Sequence, residues 1–129
     1  MHAKALARLE LEADLRRGIE RQELLLHYQP IVSLFTGRLT GFEALVRWNH
    51  PQMGLVSPGD FIPAAEETGL ILPLGTWVLR EACRQLAAWQ KQFPSASCLT
   101  MSVNLAGLQL IQPDLIDQID RILKETNLD

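Results

Sequence analysis

The chain has 129 residues, 47% of them apolar, and 12 basic against 15 acidic residues leave a net charge of −3. That is the composition of one small folded domain, and its slightly acidic balance argues against a protein that coats a nucleic-acid polymer or lies on a membrane surface. No apolar run reaches the length of a membrane span, and residues 1–4 open no secretory signal. Cys83 and Cys98 are too isolated for a zinc motif or a disulfide framework, so two buried, reduced thiols in a cytoplasmic protein are expected.

In chain order, Leu11, Leu15 and Ile19 recur at four-residue spacing, predicting an amphipathic helix over residues 3–21, with Glu12 and Arg16 able to pair and Gly18 weakening its end. Residues 24–32 read as a short apolar strand closed by Pro30, and residues 35–37 as a turn. Residues 38–48 form a second strand, and the Pro- and Gly-rich residues 49–59 a loop. A short helix follows from Pro58 or Asp60 to Glu67, stopped by Gly69. Pro73 suits the first position of a longer helix reaching about Gln92, with Leu74, Val78, Ala82 and Leu86 as its apolar stripe and Trp77 and Trp89 beside it. After a turn over residues 94–97 comes a third strand, 99–105. Pro113 opens a last helix whose buried face is expected to hold Leu115, Ile116, Ile119, Ile122 and Leu123. Strands alternating with helices indicate the α/β class.

The second strand departs from simple hydrophobic logic. Side chains alternate along a strand, so Phe42, Ala44, Val46 and Trp48 share an apolar face while Gly41, Glu43, Leu45 and Arg47 share the other. That second face carries a carboxylate and a guanidinium into what is otherwise a core. Buried charges need a partner or a metal, so either a salt bridge to a neighbouring strand or a binding site is implied. Asn104 shares its strand face with Thr100 and Ser102, opposite Leu99, Met101, Val103 and Leu105, which points its amide inward near the strand's end. His27 stands among leucines with no acid or nucleophile nearby in sequence, and His50, before Pro51, is expected to shape its loop rather than to catalyse.

Five blocks occur in order: Tyr28-Gln29-Pro30-Ile31-Val32, the run Gly41 to Trp48 containing Glu43-Ala44-Leu45, Ser57-Pro58 with Phe61-Ile62-Pro63, Ala65 to Gly69, and Ser102-Val103-Asn104-Leu105. Together they make the chain, from about Glu23 onward, resemble the EAL family of cyclic-di-GMP phosphodiesterases. The resemblance implies the N-terminal half of a modified TIM-like (β/α)8 barrel, since a whole barrel takes roughly 250 residues. It divides the chain into a linker helix, residues 1–22, of the kind that follows a GGDEF-type domain, and an incomplete EAL domain, residues 23–129. The family's later acidic residues and lysine would lie beyond Asp129.

The resemblance further implies that Glu43 and Asn104 are ligands of a two-metal Mg2+ or Mn2+ site and so catalytic, hard oxygen donors suiting those ions. Gln29 and Arg47 would contact the dinucleotide, Arg47 at a phosphate, and Leu45 would offer an apolar contact to a base. Asp60 would help receive the ligand, or simply cap a helix. The expected function is hydrolysis of cyclic-di-GMP to linear pGpG by the complete protein, with this chain alone inactive. The alternative is a degenerate EAL domain acting as a cyclic-di-GMP sensor or interaction module. Open barrel edges predict self-association. One departure from the family pattern is Ala106 where a serine is common, which removes a hydroxyl close to Asn104.

Overall fold

The structure is a computed structural model that describes residues 2–128, with side chains from Glu10 onward. Met1 and Asp129, the outer limits of the two expected segments, lie outside the described residues. Helix α1 (His2–Glu20) leads into strand β1 (Leu24–Val32), strand β2 (Leu39–His50) and a short strand β3 (Gly54–Val56). Helices α2 (Pro58–Thr68) and α3 (Ile71–Gln92) follow, then a 3-10 turn (Pro94–Cys98), strand β4 (Thr100–Val103), and helices α4 (Gly107–Leu110) and α5 (Leu115–Thr126).

β2 is the centre of the sheet. It pairs antiparallel with β1 from Leu39 to Trp48, antiparallel with β3 at Trp48 to His50, and parallel with β4 at Gly41 to Ala44. The expected three strands become four, because β3 lies inside the stretch read as loop. β1 has the expected bounds, but Pro30 does not close it: it sits within the ladder, opposite Phe42. Proline is tolerated there because β1 is an edge strand and no ladder bond is needed on its free side. β4 is shorter than the expected 99–105, so Asn104 lies just past its end. Pro73 sits in the first turn of α3, two residues after its start at Ile71. Gly69, with φ of 82°, ends α2 in the left-handed conformation glycine favours.

The helices cover one face of the sheet. Leu15, Leu24, Trp48, Phe61, Ala65, Ile71, Leu74 and Val78 form the core, with Trp48 and Phe61 fully buried and their rings 5.7 Å apart. The stripe read on α3 is buried as expected at Leu74, Val78, Ala82 and Leu86. Trp89 packs on the sheet, 5.1 Å from Tyr28 and 4.9 Å from Phe42. Burial there pushes the Tyr28 phenol up to about 12, helped by the Glu81 carboxylate. The buried face of α5 holds Ile122, with Leu115, Ile119 and Leu123 partly buried as expected, but Ile116 is 80% exposed. Of the thiols, Cys83 is half-buried and Cys98 exposed on the 3-10 turn, so the expectation of two buried thiols holds in part; both are free. Among the described residues no helix is long and apolar enough to cross a membrane.

α1 is tied to the sheet by specific contacts. Trp48 Nε1 donates to Glu23 Oε1 at 3.1 Å. Gly18 is buried, and a Cβ there would fall 2.8 Å from Trp48 Nε1, so the glycine read as a weakness is what lets helix and indole meet. His50 is buried as the expected loop organiser: its Nδ1 accepts the N–H groups of Gln52 at 3.0 Å and Met53 at 3.1 Å. That fixes the tautomer, leaving Nε2–H to donate to Asp14 at 3.1 Å.

Gly18→Ala destabilises by about 1–3 kcal/mol, the cost of overpacking, despite better helix propensity. Gly59→Ala, in open space on α2, stabilises by about 0.4–1 kcal/mol; urea unfolding gives both signs. The His50 hydrogen bond, and then Arg17, hold the Asp14 carboxyl below its ordinary value. A depressed carboxyl contributes stability that is present above its unfolded value and lost as pH falls through the folded one. Asp14→Asn therefore flattens the loss of stability on acidification below about pH 4, measured as unfolding midpoints from pH 6 downward.

Candidate active site

The face of the sheet away from the helices carries the polar residues singled out in sequence. Register places Gln29 opposite Glu43, His27 opposite Leu45 and Leu25 opposite Arg47, so these pairs share that face. β4 places Ser102 beside Glu43, and Asn104 continues the same alternation past the strand's end. The Asn104 Nδ2 donates to Glu43 Oε2 at 3.0 Å. Chemistry sets that orientation, because an ionised carboxylate only accepts hydrogen bonds and the amide must turn its NH2 toward it.

Arg47 does not pair with Glu43. Its Nη1 donates to the Val46 carbonyl at 2.8 Å, and the side chain is half-buried. Leu45, Arg47 and Asn104 line one cavity of about 320 Å³, reached from α2 by Pro58, Ile62 and Glu66 and from α3 by Gly75 and Val78. The structure does not bring Asp60 to this group. It is exposed in the first turn of α2, accepting the Ser57 hydroxyl at 3.0 Å, and it does not line the cavity. The expectation of charges driven into a core is corrected too: Glu43 is half-buried and Gln29 and Asn104 are exposed, because the sheet is open on this side. His27, on the same face, is likewise exposed.

Gln109 escaped the sequence reading. It is 5% exposed, lines the same cavity, and accepts the Ala106 N–H through Oε1 at 3.0 Å. Ala106 is the residue before α4, without the hydroxyl that would cap it; a glutamine three residues on is the signal that could have been noticed.

As donors, the Glu43 carboxylate and the Asn104 amide oxygen are the hard oxygens that suit Mg2+ or Mn2+. Among the described residues no group of three or more His, Cys, Asp or Glu is placed to hold a metal. The residues present thus fit part of a divalent site and not a whole one.

The sequence matches the EAL domain family over residues 12–129. The chain belongs to the EAL domain family. The bifunctional diguanylate cyclase/cyclic di-GMP phosphodiesterase MucR of Pseudomonas aeruginosa is 45% identical over 129 residues, all of this chain and 18% of MucR. The MucR phosphodiesterase solved in complex with c-di-GMP matches with a TM-score of 0.87, covering 92% of this chain and 47% of that one. The EAL enzyme Bd1971, solved with cAMP and cyclic-di-GMP bound, matches with a TM-score of 0.90 at 34% identity, covering 97% of this chain and 35% of that one. This EAL chain therefore spans under half of the solved MucR phosphodiesterase chain and about a fifth of MucR itself. The likeness bears out the expected fold, with an unclosed four-stranded sheet as part of a TIM-like barrel.

Proposed function

We propose that this chain is a portion of a cyclic-di-GMP phosphodiesterase whose complete form hydrolyses the cyclic dinucleotide to linear pGpG with two divalent cations, Mg2+ or Mn2+. The observation that carries the reading is the Glu43–Asn104 contact at 3.0 Å, on the face that also holds Gln29 and Arg47. The c-di-GMP bound to the MucR phosphodiesterase supports the ligand class. Two divalent cations at a phosphodiester supply an activated water and neutralise charge on the phosphate. Glu43 and Asn104 would hold metal through their oxygens. The planar fork of Arg47 suits two phosphate oxygens once it releases the Val46 carbonyl. Leu45 offers apolar contact to a base, and Gln29 has both donor and acceptor for a guanine edge. Asp60 would act only by receiving the ligand at the loop before α2.

The division into linker helix (1–22) and barrel portion (23–129) belongs to the same proposal, as do a GGDEF-type domain upstream of α1 and self-association of the isolated chain through the free edges of β1 and β4.

The chain alone shows no metal-dependent hydrolysis when incubated with cyclic-di-GMP and Mn2+ and resolved for linear product. Turnover that Glu43→Ala abolishes would refute this. In a complete domain, Glu43→Ala removes activity with little loss of stability, because it relieves a desolvated carboxylate and does not empty an apolar core.

Arg47→Ala in the complete domain raises KM by about 10- to 100-fold, the range for losing a hydrogen bond to a charged group. Asn104→Ala mainly lowers kcat, because its oxygen is assigned where charge develops. Steady-state kinetics at saturating Mn2+ separate the two roles; equal effects of both substitutions on both parameters count against them.

A further inference from the structure

We propose that Gln109, seated in the space left by Gly75, is a positioning residue that holds Asn104 within reach of Glu43. The inference rests on the metal-ligand reading of that pair. A Cβ on Gly75 would lie 1.9 Å from Gln109 Nε2 and 2.4 Å from its Cδ. No residue but glycine leaves room in α3 for this amide. From that seat Gln109 Oε1 accepts the Ala106 N–H at 3.0 Å, while the Ala106 carbonyl accepts the N–H groups of Gln109 at 3.0 Å and Leu110 at 3.2 Å. The Ala106 peptide groups are thus fixed on both sides. Upstream, Val103 is fixed by its pairing with Ala44 in the sheet. Only Asn104 and Leu105 lie between these two anchors, so the start of the Asn104 side chain has little freedom.

Packing alone does not account for an amide at this place. Burying a polar side chain costs free energy that an apolar residue of similar size would not incur, so an amide here is useful for its directed bond. Ala106 provides no hydroxyl of its own, so the hydrogen bond from its backbone to Gln109 is what secures the turn that follows Asn104. Gly75, Gln109, Ala106, Asn104 and Arg47 all line the same cavity, so the Gln109 side chain bridges α3 at Gly75 and the turn that follows Asn104.

The test uses the 15N-labelled chain without metal and follows the Asn104 side-chain amide by its chemical shifts and its exchange with water. Gln109→Leu keeps the volume and removes the acceptor. It is expected to move the Asn104 signals toward those of a free amide and to speed exchange about fivefold, the factor for one ordinary hydrogen bond. Gln109→Glu, which keeps an oxygen for the Ala106 N–H, restores the Asn104 signals. Val78→Ala, in the same cavity wall, lowers stability without moving them. Gly75→Ala matches Gln109→Leu if it folds, and the other variants decide the matter if it does not. Unchanged Asn104 signals in Gln109→Leu, or an equal change in Val78→Ala, overturn the proposal. Because no metal is added, failure here leaves the metal reading intact. Activity of a complete domain surviving Glu43→Ala would sink that reading and leave the Gln109 result standing.

Discussion

The register of β2 against its neighbours decides everything on the open face. Side chains alternate, so a slip of one residue would turn Glu43, Leu45 and Arg47 under the helices and Phe42, Ala44 and Trp48 into solvent. Large aromatic anchors at both ends of the strand forbid it. Trp48 is fully buried between Phe61, Glu23 and the Cβ-less Gly18, and Phe42 lies against Trp89. The helix-covered face thereby fixes the polar one. Glu43 faces Gln29 because the indole of Trp48 fits only on the other side.

That division was legible in the sequence because period-two alternation over a long strand is a strong signal, and Glu43, Arg47 and Asn104 interrupt it in the expected places. The α3 stripe was legible for the same reason at the helical period. β3 was not: three residues between Gly54 and Val56 show no period, and the surrounding prolines and glycines read as loop. The extension of β1 through Pro30 depends on its being an edge strand, a tertiary fact. The exposure of Ile116 depends on how α5 meets α3, which no single helix's pattern contains. Asp60 reads as a ligand residue or a helix cap, and the start of α2 places its carboxylate in the first turn, accepting the Ser57 hydroxyl. Gln109 was missed because a lone glutamine in a four-residue helix has no pattern; only the vacancy at Gly75 gives it meaning.

The polar groups of the face satisfy one another in a way that leaves them available. Asn104 donates to Glu43, and Arg47 donates to the carbonyl beside it. Neither arrangement consumes the groups' capacity. A carboxylate has about four acceptor sites, the Asn104 oxygen takes no part in its bond to Glu43, and a guanidinium has five donors. Arg47 held by its own backbone keeps its positive charge unneutralised by Glu43. That arrangement suits a face that receives an anion at one place and a cation at another, and a Glu43–Arg47 salt bridge would cancel both.

The sheet is open on this side, and that explains why the charges carry so little penalty here. Two unit charges 4 Å apart interact by about 1 kcal/mol in water and about 4 kcal/mol at the effective dielectric of a protein surface. A half-buried Glu43 therefore needs no counter-charge, and the neutral amide of Asn104 suffices. Closing a barrel over the same face would strip away water and make the lone carboxylate costly unless a cation stood beside it. The amide of Asn104 would then have reason to rotate and present its oxygen to that cation. On the proposed metal-ligand role, the same two side chains would rest at low cost in an open sheet and would be matched by a cation in a closed one, a change in the surrounding solvent and not in the residues themselves.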